Sequence, residues 1–266
     1  MSKKKRLRNQ KLKNLVDPST TQPSSLSIDK SPLVVQRSKI DHFLSIIHRE
    51  LTDKQKQFIE LALNKKVKML LVTGPAGTTK TYLAVLASLL LMNEKKVSDI
   101  TYVRSVVESA DVKMGTLPGE AEEKLSPYKR PLMDKLEELL PKDDVHYLEK
   151  EHRAEGMPVG YLRGLNWNAK AVIGDEAQNL TEKEIVTLMT RAGEFSKLFV
   201  LGDPQQSDIN GRSGFQAMYN LFNDDISKEN GIYTFEFTDD DIMRSALVKF
   251  IVKKLKEHAA AKAKKL

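Results

Sequence analysis

The sequence of 266 residues contains no cysteine, which excludes disulfides, thiolate metal sites and cysteine nucleophiles. The absence fits a reducing compartment, and we expect a cytoplasmic protein. The five histidines show no spacing typical of a metal site, so no zinc is predicted. No Gly-x-Ser-x-Gly segment is present, so covalent catalysis by an activated serine has no support.

Long apolar runs are also missing. No stretch approaches the roughly 20 consecutive apolar residues of a membrane-spanning helix, so no membrane partner is predicted. The first 14 residues hold seven basic side chains and lack the apolar segment of a secretion signal. The 40% hydrophobic content supports one packed core, and we predict one folded domain.

The positive charge is concentrated at the two ends of the chain. The chain has 43 basic and 36 acidic residues. The first 14 positions hold seven basic residues and no acidic one, and the last 14 hold six basic residues and one acidic one. The remainder therefore has 30 basic and 35 acidic residues, a charge of about −5. Mobile basic tails bind phosphate backbones without sequence preference, and they also serve as solubilising ends. Both interpretations stay open.

The predicted domain organisation follows from these tails. Residues 1–38 are expected to form a basic, disordered tail and linker, because positions 17–25 are polar and rich in serine, threonine and proline. Residues 39–256 are expected to form the folded domain, and residues 257–266 a second basic tail.

The most informative segment is Gly74-Pro75-Ala76-Gly77-Thr78-Thr79-Lys80-Thr81. It lies between an apolar run at 67–73, typical of a buried strand, and a helix-like apolar run at 82–91. A glycine-rich loop in that context gathers backbone N–H groups around a polyphosphate, with Lys80 at the β- and γ-phosphates and Thr81 on Mg²⁺. A chance glycine-rich turn is the alternative, because Thr79 stands where the pattern has glycine.

Two further apolar strands end in polar residues. The run at 169–174 is followed by Asp175 and Glu176, predicted as the Mg²⁺ partner and the base that polarises the attacking water. Acidic residues at the start of a helix are the alternative. The run at 197–201 is followed by Gly202-Asp203-Pro204-Gln205-Gln206. In a parallel sheet such strand ends meet at one edge, which predicts a single nucleotide and metal site.

With these motifs in place, the segment from Leu51 to about Val252 resembles the PhoH-like family of bacterial and phage ATPases, related to the first motor domain of superfamily 1 helicases. The matching segments are 51–55, 74–81, 115–119, 127–132, 161–164, 175–179, 202–206 and 241–244. The chain departs from the family at Thr79, where glycine is expected, and at Ser105, where proline usually follows Arg104.

The resemblance implies roles for three more residues. Gln55 would read the adenine edge, Gln206 would sense the γ-phosphate, and Arg244 would contact the γ-phosphate of its own or a neighbouring site. Gln55 also suits a solvated position on an amphipathic helix, and Arg244 a surface position on the last helix. Both alternatives stay open.

The remaining segments predict an α/β fold with a parallel sheet flanked by helices, and the resemblance implies a RecA-like P-loop core. Residues 213–222 are predicted to be helical, 231–238 a strand, and 241–260 a final helix. Residues 106–164 are too long for a loop and predict a helical insertion. Its basic residues form a candidate surface for nucleic acid or for a neighbouring subunit. The alternative is that these residues only carry solvated charge. They are Lys113, Lys124, Lys129, Arg130, Arg153 and Arg163.

The predicted function is therefore Mg²⁺-dependent ATP binding and hydrolysis, coupled to RNA or single-stranded DNA. The alternative is a nucleotide- and nucleic-acid-binding protein whose hydrolysis Thr79 has weakened. A superfamily 1 motor needs two facing domains and this chain has room for one, so any motor activity requires a second subunit. That reasoning predicts a homo-oligomer such as a hexameric ring, with an arginine acting in trans.

Overall fold

The described part of the chain is built around one sheet of six parallel strands. The computed structural model describes residues 40–105, 121–209, 211–243, 250 and 254. The strands are β1 (Met69–Thr73), β2 (Asp99–Arg104), β3 (Ala154–Pro158), β4 (Lys170–Asp175), β5 (Lys197–Gly202) and β6 (Ile232–Glu236). Their order is β3-β2-β4-β5-β1-β6, with every neighbouring pair parallel. The predicted α/β class is confirmed, and the arrangement is that of a RecA-like P-loop core.

Helices precede β1 and lie in every connection between strands except that from β3 to β4, which contains a 3₁₀ turn at Val159–Tyr161. They are α1 (Asp53–Leu63), α2 (Lys80–Asn93), α3 (Ala121–Leu139), α4 (Lys142–Lys150), α5 (Glu182–Met189), α6 (Phe215–Leu221) and α7 (Asp225–Glu229). Two of them begin at a threonine whose side chain accepts a hydrogen bond from the first turn: Thr52 before α1 and Thr181 before α5. Such caps satisfy N–H groups that the helix itself leaves without partners.

Both faces of the sheet are buried. Leu70 and Val72 of β1 pack with Phe58 of α1 and other residues on one face, whereas Leu71 packs with Phe215 of α6 and its neighbours on the other. Alternate side chains of a strand point to opposite faces, so burial on both sides favours apolar residues at successive positions. This requirement explains the uninterrupted apolar run of β1.

The sheet order places the three polar strand ends side by side. β4, β5 and β1 are consecutive neighbours, and Thr73 at the end of β1 lies opposite Gly202 at the end of β5. Because the strands are parallel, their carboxyl ends lie at the same edge of the sheet. The segments that follow these strands therefore start within reach of one another.

The insertion differs from its prediction. The expected helices are present as α3 and α4, but Ala154–Pro158 forms β3, an edge strand that pairs with β2. Glycine and proline within this strand obscured it in the sequence, although proline is tolerated at a sheet edge. Arg153, predicted on a nucleic-acid surface, is buried beside Asp99 at 3.4 Å. That prediction is wrong for Arg153, because its charge is used inside the fold.

The start of the predicted last helix is also corrected. Asp241 ends a short 3₁₀ turn at Asp239–Asp241, and Ile242 after it has an extended backbone. Most of the remaining predicted helix, both basic tails and residues 106–120 lie outside the described residues. Among the helices that the structure describes, none is long and apolar enough to cross a membrane.

Candidate nucleotide-binding site

The loop between β1 and α2 is held by close backbone packing. Gly74 has φ of 152°, and a Cβ added there would lie 2.7 Å from the Cβ of Phe237. The Thr78 hydroxyl donates to the Pro75 carbonyl at 2.9 Å, and the Met243 N–H donates to the Gly77 carbonyl at 2.9 Å. These contacts fix the loop at the amino end of α2, where helix N–H groups favour an anion.

Thr79 occupies the position where the motif has glycine. Its φ of 64° and ψ of 22° lie in the left-handed region, which a β-branched residue rarely adopts. The Gln55 amide Nε2 donates to its hydroxyl at 2.9 Å, and that hydroxyl donates to the Thr78 carbonyl at 2.6 Å. The loop thus keeps the backbone geometry of a glycine, and hydrogen bonds hold the side chain.

Lys80 folds back onto the loop. Its ammonium donates to the carbonyls of Gly74 at 2.7 Å and Pro75 at 3.0 Å. Burial lowers the pKa of Lys80 below its ordinary value, and the nearby carboxylates, led by Asp203 and followed by Asp175, oppose that effect. An incoming phosphate would offer the ammonium a stronger, charge-assisted partner than either carbonyl.

Asp175 joins the end of β4 to the loop. Its Oδ2 accepts hydrogen bonds from the Thr81 hydroxyl at 2.8 Å and the Tyr102 hydroxyl at 2.7 Å. Burial, aided by Asp175, raises the pKa of Tyr102, so this phenol remains a donor. A carboxylate beside a threonine hydroxyl is the all-oxygen donor set that suits Mg²⁺.

The metal would depend on further ligands from substrate and water. No group of three or more histidine, aspartate or glutamate side chains within the described ranges is arranged to hold a metal ion. Mg²⁺ is commonly held by one or two carboxylates together with substrate phosphates and water. The pair Thr81 and Asp175 therefore fits Mg²⁺ that arrives with a nucleotide.

Glu176 lies in a strained backbone conformation next to Asp175. Its φ of 53° and ψ of 40° are left-handed, and its Oε2 accepts a hydrogen bond from Gln178 Nε2 at 2.5 Å. Asp203 after β5 accepts from the Ala76 N–H at 3.1 Å and so joins the third strand end to the loop. Left-handed non-glycine residues cluster at functional sites, where the surroundings stabilise them.

These elements surround a cavity of about 330 Å³. The predicted site residues that line it are Ala76, Gly77, Thr79, Lys80, Thr81, Asp175, Glu176 and Gln206. Gln55 is not in its lining; it is 5% exposed, which excludes the solvated alternative. Gly74, Pro75 and Thr78 support the loop from outside the lining, and Arg244 lies outside the described residues.

Comparison with known proteins agrees with this geometry. The family model described as "PhoH-like protein" matches residues 47–256. The chain belongs to the PhoH-like family. A "PhoH-like protein" of Mycobacterium tuberculosis (strain ATCC 25618 / H37Rv) is 37% identical over 181 residues, 67% of this chain and 50% of the relative. A "PhoH-like protein" of Bacillus subtilis (strain 168) is 31% identical over 229 residues, 82% of this chain and 71% of the relative.

A third relative, "Protein PhoH" of Escherichia coli (strain K12), is 30% identical over 225 residues, 83% of this chain and 57% of the relative. The chain thus spans about half the length of the mycobacterial relatives it matches. Family membership and the parallel sheet together place this PhoH-like chain in a P-loop family whose fold suggests nucleotide binding.

Several residues of this PhoH-like site have no role of their own in the sequence-based prediction. Lys135 and Glu138 reach the cavity from α3 and pair with each other at 2.8 Å, and Gln178 and Asp203 also line it. For Gln178 and Asp203 a signal was available, because both belong to polar segments that follow buried strands. For the α3 pair, ordinary helical spacing concealed the role.

The candidate nucleic-acid residues are spread over different environments. Lys129 pairs with Glu149 at 2.9 Å and Arg130 with Asp134 at 2.7 Å. Arg163 is exposed, as is Tyr161 at 62% of its surface. Lys113 and the side chain of Lys124 lie outside the described residues. Arg163 and Tyr161 therefore both lie at the surface of the described part of the chain.

Proposed function

We propose that this PhoH-like chain binds ATP with Mg²⁺ and hydrolyses it. The observation that carries the proposal is the Thr81–Asp175 bond of 2.8 Å beside Lys80, on one cavity that Glu176 and Gln206 also line. In this proposal Lys80 neutralises the β- and γ-phosphates, and Thr81 and Asp175 hold the metal.

The chemical step divides among the remaining residues. Bound Mg²⁺ would supply positive charge at the transferring phosphoryl group. Glu176 would accept a proton from the attacking water, and Gln206 would contact the γ-phosphate. Asp203 and Asp175 keep negative charge next to Lys80, which favours its ammonium form against burial.

Gln55 remains the proposed adenine contact. Its Oε1 accepts from the Thr52 N–H at 3.0 Å, and its Nε2 donates to Thr79 at 2.9 Å. A side-chain amide has two donor hydrogens and two acceptor lone pairs, so one of each is left for a base edge. Gln55 would thus contact the base and the phosphate loop simultaneously.

We further propose that turnover is coupled to RNA or single-stranded DNA. Tyr161 and Arg163 follow β3, whose last residue Pro158 lies opposite Arg104, which in turn lies opposite Asp175. Pro158 is therefore at the same edge of the sheet as Asp175, roughly 10 Å away across two strand spacings, and Tyr161 and Arg163 follow from that edge. An exposed tyrosine offers a stacking platform for a base, and arginine a phosphate contact.

The assembly and location belong to the proposal as well. A homo-oligomer, for which a hexameric ring is one form, would let an arginine such as Arg244 act on a neighbouring subunit. The basic tails would add salt-dependent affinity for a phosphate backbone. A cytoplasmic location, expected from the lack of cysteine, completes the proposed setting.

A second function is favoured by Thr79. A threonine in the left-handed region with a bonded hydroxyl stiffens the loop where backbone must approach phosphate. The rival is a nucleotide-gated or tail-driven nucleic-acid-binding protein in which hydrolysis is weakened.

One assay separates the two functions. Mg²⁺-dependent ATP hydrolysis is measured with and without single-stranded RNA for the parent, Lys80→Ala, Thr79→Gly and Arg163→Ala. Hydrolysis that Lys80→Ala abolishes supports the ATPase, and stimulation by RNA that Arg163→Ala removes supports the coupling. An inactive parent with an active Thr79→Gly variant would establish the rival function.

A further inference from the structure

Gln178 carries a buried side-chain amide that lies between Glu176, the proposed general base, and the end of β5. It lies in the 3₁₀ turn Ala177–Asn179 that follows Glu176 and is 1% exposed. Its Nε2 donates to Glu176 Oε2 at 2.5 Å, and its Oε1 accepts from the Asp203 N–H at 2.9 Å. One side chain therefore bridges the two polar strand ends of the cavity.

The chemistry of these partners fixes which way the amide faces. The backbone N–H of Asp203 can only donate, so it must meet the oxygen of the Gln178 amide. The NH₂ group is then directed at the carboxylate of Glu176, which can accept. The bond engages one carboxylate oxygen, and a base needs only the other to receive a proton from water.

The same turn is joined to the segment after β5 at further points. The Ser207 hydroxyl donates to the Gln178 carbonyl at 3.1 Å. Asn179 and Asp208 exchange two hydrogen bonds, of 3.2 and 2.8 Å. Gln206 lies within this segment, so Glu176 and Gln206 are held by one connected set of bonds.

We propose that Gln178 is a positioning residue. It holds the Glu176 carboxylate at a fixed position relative to the Asp203–Asp208 segment, which carries Gln206. The left-handed backbone of Glu176 needs such support, because strained conformations persist only where neighbouring groups stabilise them. The proposal rests on hydrolysis being the function of the site. It assigns the rate of the chemical step, not nucleotide affinity, to this amide.

Two variants separate the bond to Glu176 from the bond to Asp203. Gln178→Glu keeps the size of the side chain and an acceptor for the Asp203 N–H, but it presents an oxygen to Glu176. Gln178→Met removes both bonds without adding charge. Gln57→Met, on the exposed face of α1, is the matched control for the loss of an amide.

The readouts are kcat for ATP and the Kd for a fluorescent ATP analogue with Mg²⁺. We expect kcat to fall by about 10- to 100-fold in both Gln178 variants, because a small misplacement of a reacting group has effects of this order. The Kd of Gln178→Met is expected to stay within about threefold of the parent. In a Glu176→Gln background, Gln178→Met should reduce the residual rate by less than about threefold, since residues that act as a unit are non-additive.

Each other outcome has a distinct meaning. Parent-like kcat in both variants would overturn the positioning role and leave the proposed ATPase intact. The positioning role would also be overturned if Gln178→Met reduced kcat by the same factor in the Glu176→Gln background as in the parent, or if Kd rose as much as kcat fell. Either result would indicate that Gln178 supports the structure in general. A parent that binds nucleotide and shows no turnover would overturn the proposed hydrolysis and, with it, this role.

Discussion

The contact between Gln55 and Thr79 makes the effect of Thr79→Gly depend on residue 55. Glycine relieves a left-handed conformation that costs a non-glycine residue roughly 1–2 kcal/mol, and it adds about 0.5–1 kcal/mol of chain entropy to the unfolded state. These two effects leave a gain of about 0.5 kcal/mol. Removal of the 2.9 Å bond from Gln55 costs about 1 kcal/mol.

The expected result is a difference of about 1 kcal/mol between two backgrounds. Thr79→Gly should lower the free energy of unfolding by about 1 kcal/mol more in the parent than in Gln55→Ala, where the bond is already absent. The bond from the Thr79 hydroxyl to the Thr78 carbonyl is lost in both backgrounds and cancels. The bond between Gln55 and the Thr52 N–H is absent from both Gln55→Ala and the double variant, so its loss cancels when these two proteins are compared. The coupling between the two positions is therefore about 1 kcal/mol.

Urea unfolding at a fixed pH gives the free energy of unfolding of the parent, the two single variants and the double variant. The comparison holds if the slope of this free energy against urea concentration is the same for all four proteins. Gln57→Ala, at an exposed position on the same helix, is the control and should be additive with Thr79→Gly. Equal effects of Thr79→Gly in the parent and in Gln55→Ala would refute the reasoning, because they would show that the bond contributes nothing in solution.

Three further predictions concern the metal, a buried lysine and a packed glycine. Asp175→Asn should reduce Mg²⁺-dependent hydrolysis by on the order of 10²-fold; a Mg²⁺ titration with the parent's profile would contradict this. Burial, with Lys96 second, lowers the pKa of Lys197 from 10.5 to about 8. At this residue the unfolded chain then binds more protons between about pH 8 and 10.5, so Lys197 contributes stability that rises across that window, and the slope of stability against pH should be less positive in Lys197→Met. Urea unfolding at both ends tests this, and identical slopes would exclude it. Gly156→Ala would place a Cβ 2.4 Å from the α3 backbone and should cost about 1–3 kcal/mol. Gly160→Ala, with no atom within 4 Å, should stay within about 0.5 kcal/mol in the same unfolding assay; equal losses would argue against the packing.

Strands whose burial is purely apolar could be predicted from sequence, and strands whose burial depends on polar partners could not. Leu70–Val72 of β1 and Leu198–Leu201 of β5 are continuous apolar runs in which every residue is buried. β2 begins with Asp99 and includes Thr101, both buried, so its sequence shows no continuous apolar run. Asp99 is tolerated there because Arg153 lies 3.4 Å away, a partner 54 positions later in the chain.

The site shows the same division. The spacing of Lys80 and Thr81 and the acids after β4 predicted a phosphate loop near Asp175, and the structure places Thr81 in contact with Asp175; the metal role of this pair stays a prediction. The partners of polar side chains were not accessible, because they come from distant segments: Gln55 meets Thr79 across 24 positions, and Gln178 meets Asp203 across 25. A sequence pattern identifies a functional group, but only the fold decides what that group contacts.

The charge around the cavity explains why these contacts matter. Its lining holds four carboxylates, Asp175, Glu176, Asp203 and Glu138, against two lysines, Lys80 and Lys135. A polyphosphate entering alone would meet excess negative charge, whereas one that arrives with Mg²⁺ brings compensation to Asp175. The hydrogen bonds from Gln178 to Glu176 and from the Ala76 N–H to Asp203 stabilise the carboxylates close together before that happens. If the site binds nucleotide as proposed, this cluster of carboxylates would favour the Mg²⁺ complex over free nucleotide.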